Sequence, residues 1–432
     1  MNKLTIFLRE KYLVITPILL IISIAQLEQY SQLTTSGTFG AALRLSIPIL
    51  LAGLGGLFSE RTGIVNIGLE GMMIMGTWFT AWGGVLYGPW YGILFGLAGG
   101  ALFGLIHAVA TVSFQVDHIV SGVAINILAV GAGRFFNILA FDDYEYASST
   151  ASPIVEGEIG RITLPFISGG EINGSPTFNI LGSLEEQNII LLSDIAGLLY
   201  GVTSNISYFS IISLLMIPGS IYLLWRTPLG LQMRSVGEFP SGSESLGVNV
   251  YLMKYTGVII SGALAGLAGA YLVLEGPSVY LEGQTNGRGF IGLASLLFGN
   301  YRPFGIFLGA GLFGFADALQ LRSEESIHGL LIVIFLFMFI LTARNIYQRN
   351  IRSGVLSGLV GLAFFVWFNN STTIPIQFVY FTPHLTTLIV LSFASQKFRM
   401  PKSVGKPYKL SLIHISEPTR RRGISYAVFC LK

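Results

Sequence analysis

Long apolar runs dominate this sequence. Residues 12–27, 45–58 and 330–341 are predominantly apolar and are interrupted mainly by small residues. A transmembrane α-helix needs about 20 such residues, and these runs approach that length. Of the 432 residues, 52% are hydrophobic and only 11% are charged. An ordinary soluble domain carries about 25% charged residues, so the chain is predicted to be an integral membrane protein.

The apolar segments are predicted to be α-helices, because strands of outer-membrane barrels alternate polar and apolar residues over short segments. A basic start precedes the first segment and no small-residue cleavage site follows it, so we interpret it as a retained anchor. The predicted fold is an all-α, polytopic membrane helix bundle with about 12 hydrophobic segments. They lie near residues 12–27, 41–58, 64–84, 91–113, 119–140, 206–225, 256–275, 288–299, 304–321, 328–343, 354–369 and 383–397.

Basic residues predict the orientation of these segments. Cytoplasmic loops of membrane proteins carry an excess of lysine and arginine. A cytoplasmic N-terminus places most basic residues on the cytoplasmic side, namely Arg61, Arg226, Arg234, Lys254, Arg302, Arg344, Arg349, Arg352 and a cluster at 397–409. We therefore predict a multi-pass protein of the cell (inner or plasma) membrane with both termini in the cytoplasm.

Residues 141–205 form a long segment that this topology places outside the cell. Against the single basic residue Arg161, it carries the acidic residues Asp142, Asp143, Glu145, Glu156, Glu158, Glu171, Glu185, Glu186 and Asp194. Long loops within compact domains are often functional. The segment is either a partly ordered external loop or a docking surface for an external partner.

The C-terminal stretch 410–432 is predicted to be non-native. Residues 410–420 and 424–432 resemble the translation of two parts of a DNA-sequencing adapter, in the expected order. The alternative is a genuine basic cytosolic tail. Without this stretch the chain has no net formal charge and no cysteine, since Cys430 is the only one. Disulfides, thiolate metal sites and cysteine nucleophiles are then excluded.

Three short matches suggest an internal repeat. Residues 51–56 resemble 264–269, residues 67–69 resemble 291–293, and residues 89–93 resemble 303–306. The outer two matches keep nearly the same spacing, whereas the middle one does not. On the predicted topology the two copies run in opposite directions, which is typical of transporters with inverted repeats. The alternative is chance similarity between helices rich in small residues.

Four stretches carry a resemblance to a known family. They are residues 60–73, ERTGIVNIGLEGMM; 116–126, VDHIVSGVAIN; 287–294, GRGFIGLA; and 313–321, FGFADALQL. They resemble the permease subunits of bacterial nucleoside ABC importers, within the larger group of branched-chain amino-acid and ribose permeases.

This resemblance implies the organisation of the chain. A core permease domain at 41–343 contains an external loop, 141–205, and a cytoplasmic coupling loop, 226–254. An anchor helix and external linker at 1–40 precede the core. Two added helices and a basic cytosolic tail, 344–409, follow it and distinguish the chain from a minimal family member.

The resemblance also implies the partners. A nucleoside would be delivered by an extracytoplasmic substrate-binding lipoprotein and moved across the bilayer by alternating access, with no enzymatic reaction in this chain. The phosphate-binding loop Gly-x-x-x-x-Gly-Lys-Ser/Thr is absent from the sequence, so ATP and Mg are expected only in a separate ATPase subunit. A second, different permease subunit is expected, and no nucleic acid.

The coupling loop is expected to seat a short helix in the ATPase. The residues predicted for this contact are Arg234, Gly237, Glu238, Phe239, Pro240 and Gly247. The alternative is a plain solvated loop punctuated by glycine and proline.

Polar residues inside the apolar segments predict the substrate pathway, because such residues usually face a cavity or a partner. The predicted pathway residues are Asn66, Gly68, Glu70, Asn126 and Gly292, and paired helix interruptions at Gly68 and Gly292 are expected to place Asn66 and Glu70 close to the solute. Glu70 could contact ribose hydroxyls or pair with Arg134. Interhelical bonding that only holds the bundle together is the alternative, and it is favoured for Asn126 and Arg134.

Other polar residues give weaker indications. Asp317 and Gln320 are candidates for the outer mouth of the pathway, and the scattered histidines predict no metal site. Trp82, Trp90 and Trp225 are interpreted as aromatic anchors at the membrane interface.

Three alternative functions remain open from the sequence. The cargo could be a simple sugar or a branched-chain amino acid, since a shared fold does not determine the substrate. An ion- or proton-coupled secondary transporter could use Glu70 as a proton carrier. A membrane scaffold or receptor would transport nothing.

Overall fold

A computed structural model describes residues 16–17, 19–25, 27–144, 147–172, 174–187, 189–322, 324–375, 377–378 and 399–408. The predicted span 383–397 and the adapter-like stretch 410–432 lie outside these residues, as does part of the predicted anchor at 12–27.

Helices make up most of the described chain. The first four are α1 (Ser36–Arg61), α2 (Leu69–Tyr87), α3 (Pro89–Ala108) and α4 (His118–Phe141). The next five are α5 (Ile180–Glu185), α6 (Leu192–Thr203), α7 (Tyr208–Arg226), α8 (Pro228–Glu238) and α9 (Pro240–Ser245). The last five are α10 (Val250–Leu274), α11 (Arg288–Phe298), α12 (Pro303–Leu319), α13 (Glu324–Tyr347) and α14 (Ile351–Asn370).

Local chemistry explains several helix boundaries. Gly88, at a φ of +90°, ends α2, and Pro89 occupies the first position of α3, where a missing N–H costs nothing. The carboxylate of Asp117 accepts hydrogen bonds from Ile119 N and Val120 N at the start of α4.

Seven helices in the described chain are long and apolar enough to cross a membrane. With the 3₁₀-helix Glu28–Leu33 before α1 and the π-helix Val109–Ser113 after α3 included, the candidate spans are Tyr30–Arg61, Pro89–Ser113, His118–Phe141, Tyr208–Arg226, Val250–Leu274, Ile327–Tyr347 and Ile351–Asn370. Shorter apolar helices are Leu192–Thr203, Arg288–Phe298 and Pro303–Leu319. The fold is therefore a polytopic helical bundle, and the count of about 12 segments stays a prediction.

In the centre of the bundle, helices from the first half of the chain pack against helices from the second half. Helix α1 packs against α11 and α12, whereas α10 packs against α2 and α3. Small residues allow both approaches. A Cβ on Gly53 would lie 2.6 Å from Ser295 Oγ, and one on Gly266 would lie 2.2 Å from Gly96 O. Each half of the bundle is thus completed by a helix from the other half.

The two predicted loop regions lie at opposite ends of the bundle. At one end, called the coupling-loop end, α8 contacts the C-terminus of α1. At the other, called the long-loop end, the segment after α4 packs on the segment after α10. There Val155 N donates to Ser278 O at 2.7 Å, and Arg161 forms an ion pair with Glu275 at 2.7 Å.

The long segment after α4 is more ordered than a partly ordered loop. It contains α5, α6 and short antiparallel ladders that pair β1 (Arg161–Ile162) with β4 (Ile206–Ser207) and β2 (Glu171–Ile172) with β3 (Ser175–Pro176). Helix α6 packs closely on α1, because a Cβ on Gly201 would lie 2.3 Å from Ser36 O. The all-α prediction therefore holds for the bundle and needs these ladders added.

Two predicted boundaries are corrected. The predicted span 64–84 begins five residues too early, because residues 64–68 are not helical although their composition is apolar. The predicted coupling loop, 226–254, ends too late. Asn249 caps the start of α10 by accepting from Leu252 N at 2.9 Å, which places Lys254 inside that helix.

Candidate functional site

A break in the chain between α1 and α2 forms the centre of the candidate site. Residues 62–68 connect the two helices without helical structure. Two buried histidines hold the middle of this break, because Val65 N donates to His118 Nδ1 at 3.3 Å and His107 Nε2 lies 3.2 Å from Val65 O. A carbonyl oxygen only accepts, so His107 carries its proton on Nε2. Its Nδ1 then accepts from Ser121 Oγ at 2.8 Å.

Asn126, on α4, hydrogen-bonds to the break and to the start of α2. Its Nδ2 donates to Ile67 O at 3.1 Å, and its Oδ1 accepts from Gly71 N at 2.7 Å. The first N–H groups of a helix lack partners within the helix, so this amide supplies what the start of α2 needs. Asn126 therefore joins α4 to the break and to the start of α2 by hydrogen bonds.

Glu70 joins the two halves of the chain. It lies in the first turn of α2 and is 7% exposed. Its Oε1 accepts from Gly287 N at 2.9 Å and its Oε2 accepts from Gly289 N at 2.7 Å. These groups start α11, so the carboxylate caps a helix N-terminus, where a negative charge is stabilised. The N-termini of α2 and α11 therefore meet at Glu70.

The predicted pair between Glu70 and Arg134 is wrong. Arg134 binds Glu282 in a two-pronged ion pair, with distances of 2.6 Å from Nε to Oε2 and 2.5 Å from Nη2 to Oε1. This hydrogen bonding lowers the pKa of Glu282. Sequence gave no sign of Glu282 as the partner, because it lies 148 residues along the chain from Arg134.

Asn66 connects the break to α10. The residue is fully buried, and its Nδ2 donates to Ser261 Oγ at 2.9 Å and lies 3.3 Å from Met72 Sδ. Within the described chain its Oδ1 has no hydrogen-bond partner. A Cβ on Gly68 would lie 3.3 Å from that oxygen. A buried acceptor without a partner is costly, so it is a candidate contact for a polar solute.

Gly292 has a different place from the one predicted. It lies inside α11, and the break in the second half of the chain is the segment 275–287 that precedes this helix. A Cβ on Gly292 would lie 2.7 Å from Ala52 Cβ and 3.0 Å from Gly53 N. Gly292 therefore permits the close approach of α11 to α1, whereas Gly68 lies at the N-cap of α2.

An aromatic cluster between α2, α4 and the 275–287 segment was missed by sequence reasoning. Trp78 packs on Phe136 with ring centroids 5.2 Å apart, and Tyr280 belongs to the same buried cluster. Within the described residues, Trp78 Nε1, Tyr280 Oη and Asn137 Oδ1 are buried without hydrogen-bond partners. Burial raises the pKa of Tyr280 to about 12, so its hydroxyl keeps its proton. No spacing pattern marks these residues, because they come from three separate elements.

Asp317, one of the two predicted outer-mouth residues, forms an ion pair. Arg288, the first residue of α11, has its Nη2 3.3 Å from Asp317 Oδ2 on α12, and both side chains are mostly buried. Gln320 is the C-cap of α12. Among the described residues, no group of three or more His, Cys, Asp or Glu is placed to hold a metal ion.

Two short helices, α8 and α9, form the predicted coupling region, and each begins with proline at its first position. The predicted contact residues divide into two sets. Gly237 is buried, and a Cβ there would lie 2.2 Å from Arg61 O. Phe239 is 65% exposed and Leu246, which was not predicted, is 86% exposed. Glu238 and Gly247 are also exposed, and Pro240 starts α9.

Trp225 links α8 to the break. The guanidinium groups of Arg61 and Arg234 lie 5.5 Å and 5.8 Å from its ring centroid. Trp225 therefore lies between two cations and not simply at a lipid interface. Trp82 also differs from the prediction, because it stacks on Trp78 at 5.6 Å, whereas Trp90 is 47% exposed.

The C-terminus of α1 is also tied to the turn between α11 and α12. Arg61 Nη2 donates to Tyr301 O at 2.7 Å, and Tyr301 Oη donates to Glu60 Oε2 at 2.6 Å. Burial and the nearby Glu60 carboxylate raise the pKa of Tyr301, which keeps it a donor. Contacts therefore run from α8 through Arg61 to both halves of the bundle.

Comparison with known proteins decides the family. Residues 38–343 match the model of the branched-chain amino acid transport system / permease component family. The chain belongs to this permease family. The permease is accordingly a transport component of the membrane and not an enzyme, and a permease of this kind operates with an ATPase and a substrate-binding protein.

Three curated relatives resemble the permease over most of their own length. The guanosine ABC transporter permease NupQ of Bacillus subtilis is 37% identical over 65% of this chain and 81% of the relative. The nucleoside ABC transporter permease NupC of Lactococcus lactis is 30% identical over 63% and 78%. Haloferax volcanii TsgC13, named provisionally as a glucose ABC transporter permease, is 31% identical over 86% and 97%. No solved structure matches the permease.

Proposed function

We propose that this chain is the pore subunit of an ATP-driven importer and that it moves nucleosides by alternating access. The observation that carries the mechanism is the meeting of two helix N-termini at Glu70, in a break tied to the coupling helices. The cargo is supported by the likeness to NupQ and NupC, which are named for guanosine and nucleosides. The likeness to TsgC13 makes glucose the competing cargo.

The alternating movement would come from an inverted repeat of α1–α4 and α10–α13. In support, Gly53 and Gly266 are equivalent in the matched sequences, and each approaches the second and third helices of the opposite half. Gly76 packs on Gly266 as Gly292 packs on Gly53, which aligns Gly76 with Gly292. This pairing leaves spacings of 23 residues from Gly53 and 26 residues from Gly266, which agree better than those of the middle sequence match. Two halves built this way can rock around a site between them.

The solute would pass between α2, α4 and the 275–287 segment. Aromatic faces near Trp78 suit a nucleobase, because bases stack on aromatic rings with about 1–3 kcal/mol each. The buried atoms Asn66 Oδ1, Trp78 Nε1 and Tyr280 Oη offer one acceptor, one donor and one hydroxyl. A polar solute would satisfy them when the halves separate. Gly68, Glu70, Asn126 and Gly292 shape this route by holding the helix starts and packing together.

Force would enter at α8 and α9. Phe239 and Leu246 are large apolar side chains exposed at the coupling-loop end, and this exposure suits insertion into a groove of an ATPase. ATP and Mg would be held entirely by that partner. Arg234, Gly237 and Glu238 would pass the movement on through Arg61, which Gly237 touches.

The remaining partners follow from the two ends of the bundle. We place the coupling-loop end and both termini in the cytoplasm, since the basic residues gather there. The acidic, ordered segment at the long-loop end would receive the substrate-binding lipoprotein. A second, different permease would complete the pore as a heterodimer.

Uptake by the reconstituted importer tests this function. The permease, its partner subunits and its binding protein would be placed in proteoliposomes loaded with ATP, and entry of labelled guanosine, glucose and leucine would be measured. Guanosine entry that requires ATP and survives an uncoupler is the expected result. Glucose or leucine entry without guanosine entry would overturn the cargo, and entry driven by a proton gradient without ATP would overturn the mechanism.

A further inference from the structure

The C-terminal residues 399–408 lie across the coupling-loop end and touch several of its parts. We call this segment the strap. Ser403 N donates to Gly237 O at 2.9 Å at the end of α8. Tyr408 Oη donates to a carboxylate oxygen of Glu244 on α9. The strap therefore binds both coupling helices.

The same segment binds the break between α1 and α2. Gly405 N donates to Gly63 O at 3.2 Å, and a Cβ on Gly63 would lie 3.3 Å from Ser403 O. Gly63 also has a φ of +90°, which other residues rarely adopt. The backbone conformation favours glycine at this position, and a side chain there would also crowd the strap.

Further contacts reach the second half of the bundle. Arg399 N donates to Asn300 Oδ1 at 2.7 Å, in the turn between α11 and α12. The Tyr408 ring lies 5.9 Å from Lys254 Nζ on α10 and packs on Tyr251. Lys254 is 2% exposed, so this cation–π contact covers a charge held away from water. One ten-residue segment thus joins the coupling helices to both halves.

We propose that the strap transmits movement of α8 and α9 to the break at 62–68 and to the turn at 299–302, with Tyr408 as its positioning residue. The inference rests on the proposed function, because it assumes that α8 and α9 receive the force. Burial and the Glu244 carboxylate raise the pKa of Tyr408, so its hydroxyl stays a donor at physiological pH. Without the strap, the direct contact of Gly237 with Arg61 remains. The ATPase then still docks and hydrolyses ATP, but less of its movement reaches the pore.

Two truncations separate the strap from the rest of the tail. A chain ending at Phe398 lacks the strap, and the matched control ending at Tyr408 keeps it. In proteoliposomes with the complete importer, we expect the Phe398 chain to transport at least about fivefold less solute per ATP hydrolysed, because the strap makes several hydrogen bonds and the loss of one is worth about 1 kcal/mol. ATP hydrolysis per assembled complex should stay within about twofold. Equal solute-per-ATP ratios in the two truncations would overturn the proposal.

Substitutions of Tyr408 test the strap without shortening the chain, so the test does not depend on how well the shorter chain assembles. Tyr408→Phe keeps the ring over Lys254 and loses the donor to Glu244, whereas Tyr408→Ala loses both. The amount of solute transported per ATP hydrolysed should fall for Tyr408→Phe and fall further for Tyr408→Ala. A purely structural role would lower the amount of importer and leave the ratio unchanged.

Hydrogen exchange gives a readout that does not depend on cargo. Amides of α8, α9 and residues 62–65 should exchange faster in the Phe398 chain than in the Tyr408 chain. Unchanged exchange would contradict the strap. Failure of the proposed cargo would instead appear as no guanosine uptake in any chain, including the full-length one, with the exchange difference still present.

Discussion

Glu70 Oε2 on α2 accepts a hydrogen bond of 2.7 Å from Gly289 N on α11, 219 residues further along the chain. A Cβ on Gly289 would lie 2.6 Å from Glu70 Cα, so the backbones of the two helix starts also touch. The carboxylate therefore joins the two halves of the chain by hydrogen bonds. Alternating access around this point must either preserve these bonds or exchange them for bonds to solvent or solute.

The unpartnered oxygen of Asn66 predicts a transport defect. Asn66→Leu removes this oxygen and the bond to Ser261, whereas Ser261→Ala removes only the bond. If the oxygen meets the solute, Asn66→Leu should raise the uptake KM at least about fivefold more than Ser261→Ala, because one hydrogen bond is worth about 1 kcal/mol. Equal KM values at matched expression would assign Asn66 to packing alone.

The exposed side chains of the coupling region predict where the ATPase binds. Phe239→Ala and Leu246→Ser should weaken co-purification of the ATPase while leaving insertion intact, because both side chains point away from the bundle. Phe178→Ala is the control, since Phe178 is 69% exposed but lies in the segment at the long-loop end. Equal co-purification of all three variants would place the ATPase contact elsewhere.

Gly237 should behave differently from its exposed neighbour Phe239. A Cβ on Gly237 would lie 2.2 Å from Arg61 O, so Gly237→Trp cannot be accommodated without moving α8 or the end of α1. We expect the amount of folded permease to fall, measured as the yield of monodisperse protein in detergent. Any loss of coupling would come in addition to this loss of folded protein. Normal folding of Gly237→Trp with lost coupling would instead mean that this glycine faces the ATPase.

Cysteine labelling tests the orientation. In a background with Cys430→Ser, single cysteines replace Glu186 at the long-loop end and Phe239 at the coupling-loop end, both exposed. In cells that express the permease without the ATPase, which would otherwise cover position 239, an impermeant maleimide should label position 186 in intact cells and position 239 only after permeabilisation. The reverse pattern would invert the proposed topology.

Sequence predicted the parts of the fold that depend on composition and spacing. Apolar runs predicted the main helices, and one short helix was predicted in the coupling loop, where the structure has two, α8 and α9. An interruption at Gly68 was predicted, but the break at 62–68 is longer, and its extent stayed hidden because Ile64, Val65 and Ile67 look like a membrane helix. Its backbone is satisfied instead by distant side chains, which spacing along one chain does not reveal.

The candidate site shows the same division. Asn66, Glu70 and Asn126 stand out as polar residues in apolar surroundings, and the structure brings them to one break. Their partners could not be predicted, since Glu70 binds backbone N–H groups, which every residue except proline possesses. Trp78 and Tyr280 were missed because an aromatic residue in a membrane helix or loop is usually packing or an interfacial anchor.

Comparing Glu70→Gln with Glu70→Leu in ATP-loaded proteoliposomes tests the central claim most directly. Glutamine keeps one acceptor for the start of α11, whereas leucine leaves two N–H groups without acceptors, that of Gly289 buried and that of Gly287 partly buried, at a cost of about 1–3 kcal/mol for a fully buried group. We predict ATP-dependent guanosine uptake by Glu70→Gln that is reduced but well above that of Glu70→Leu. If Glu70 carried a proton, neither variant would ionise, and both would be equally inactive while inserted and bound to the ATPase. That result would contradict the claim that transport depends on the hydrogen bonds by which Glu70 joins the two halves.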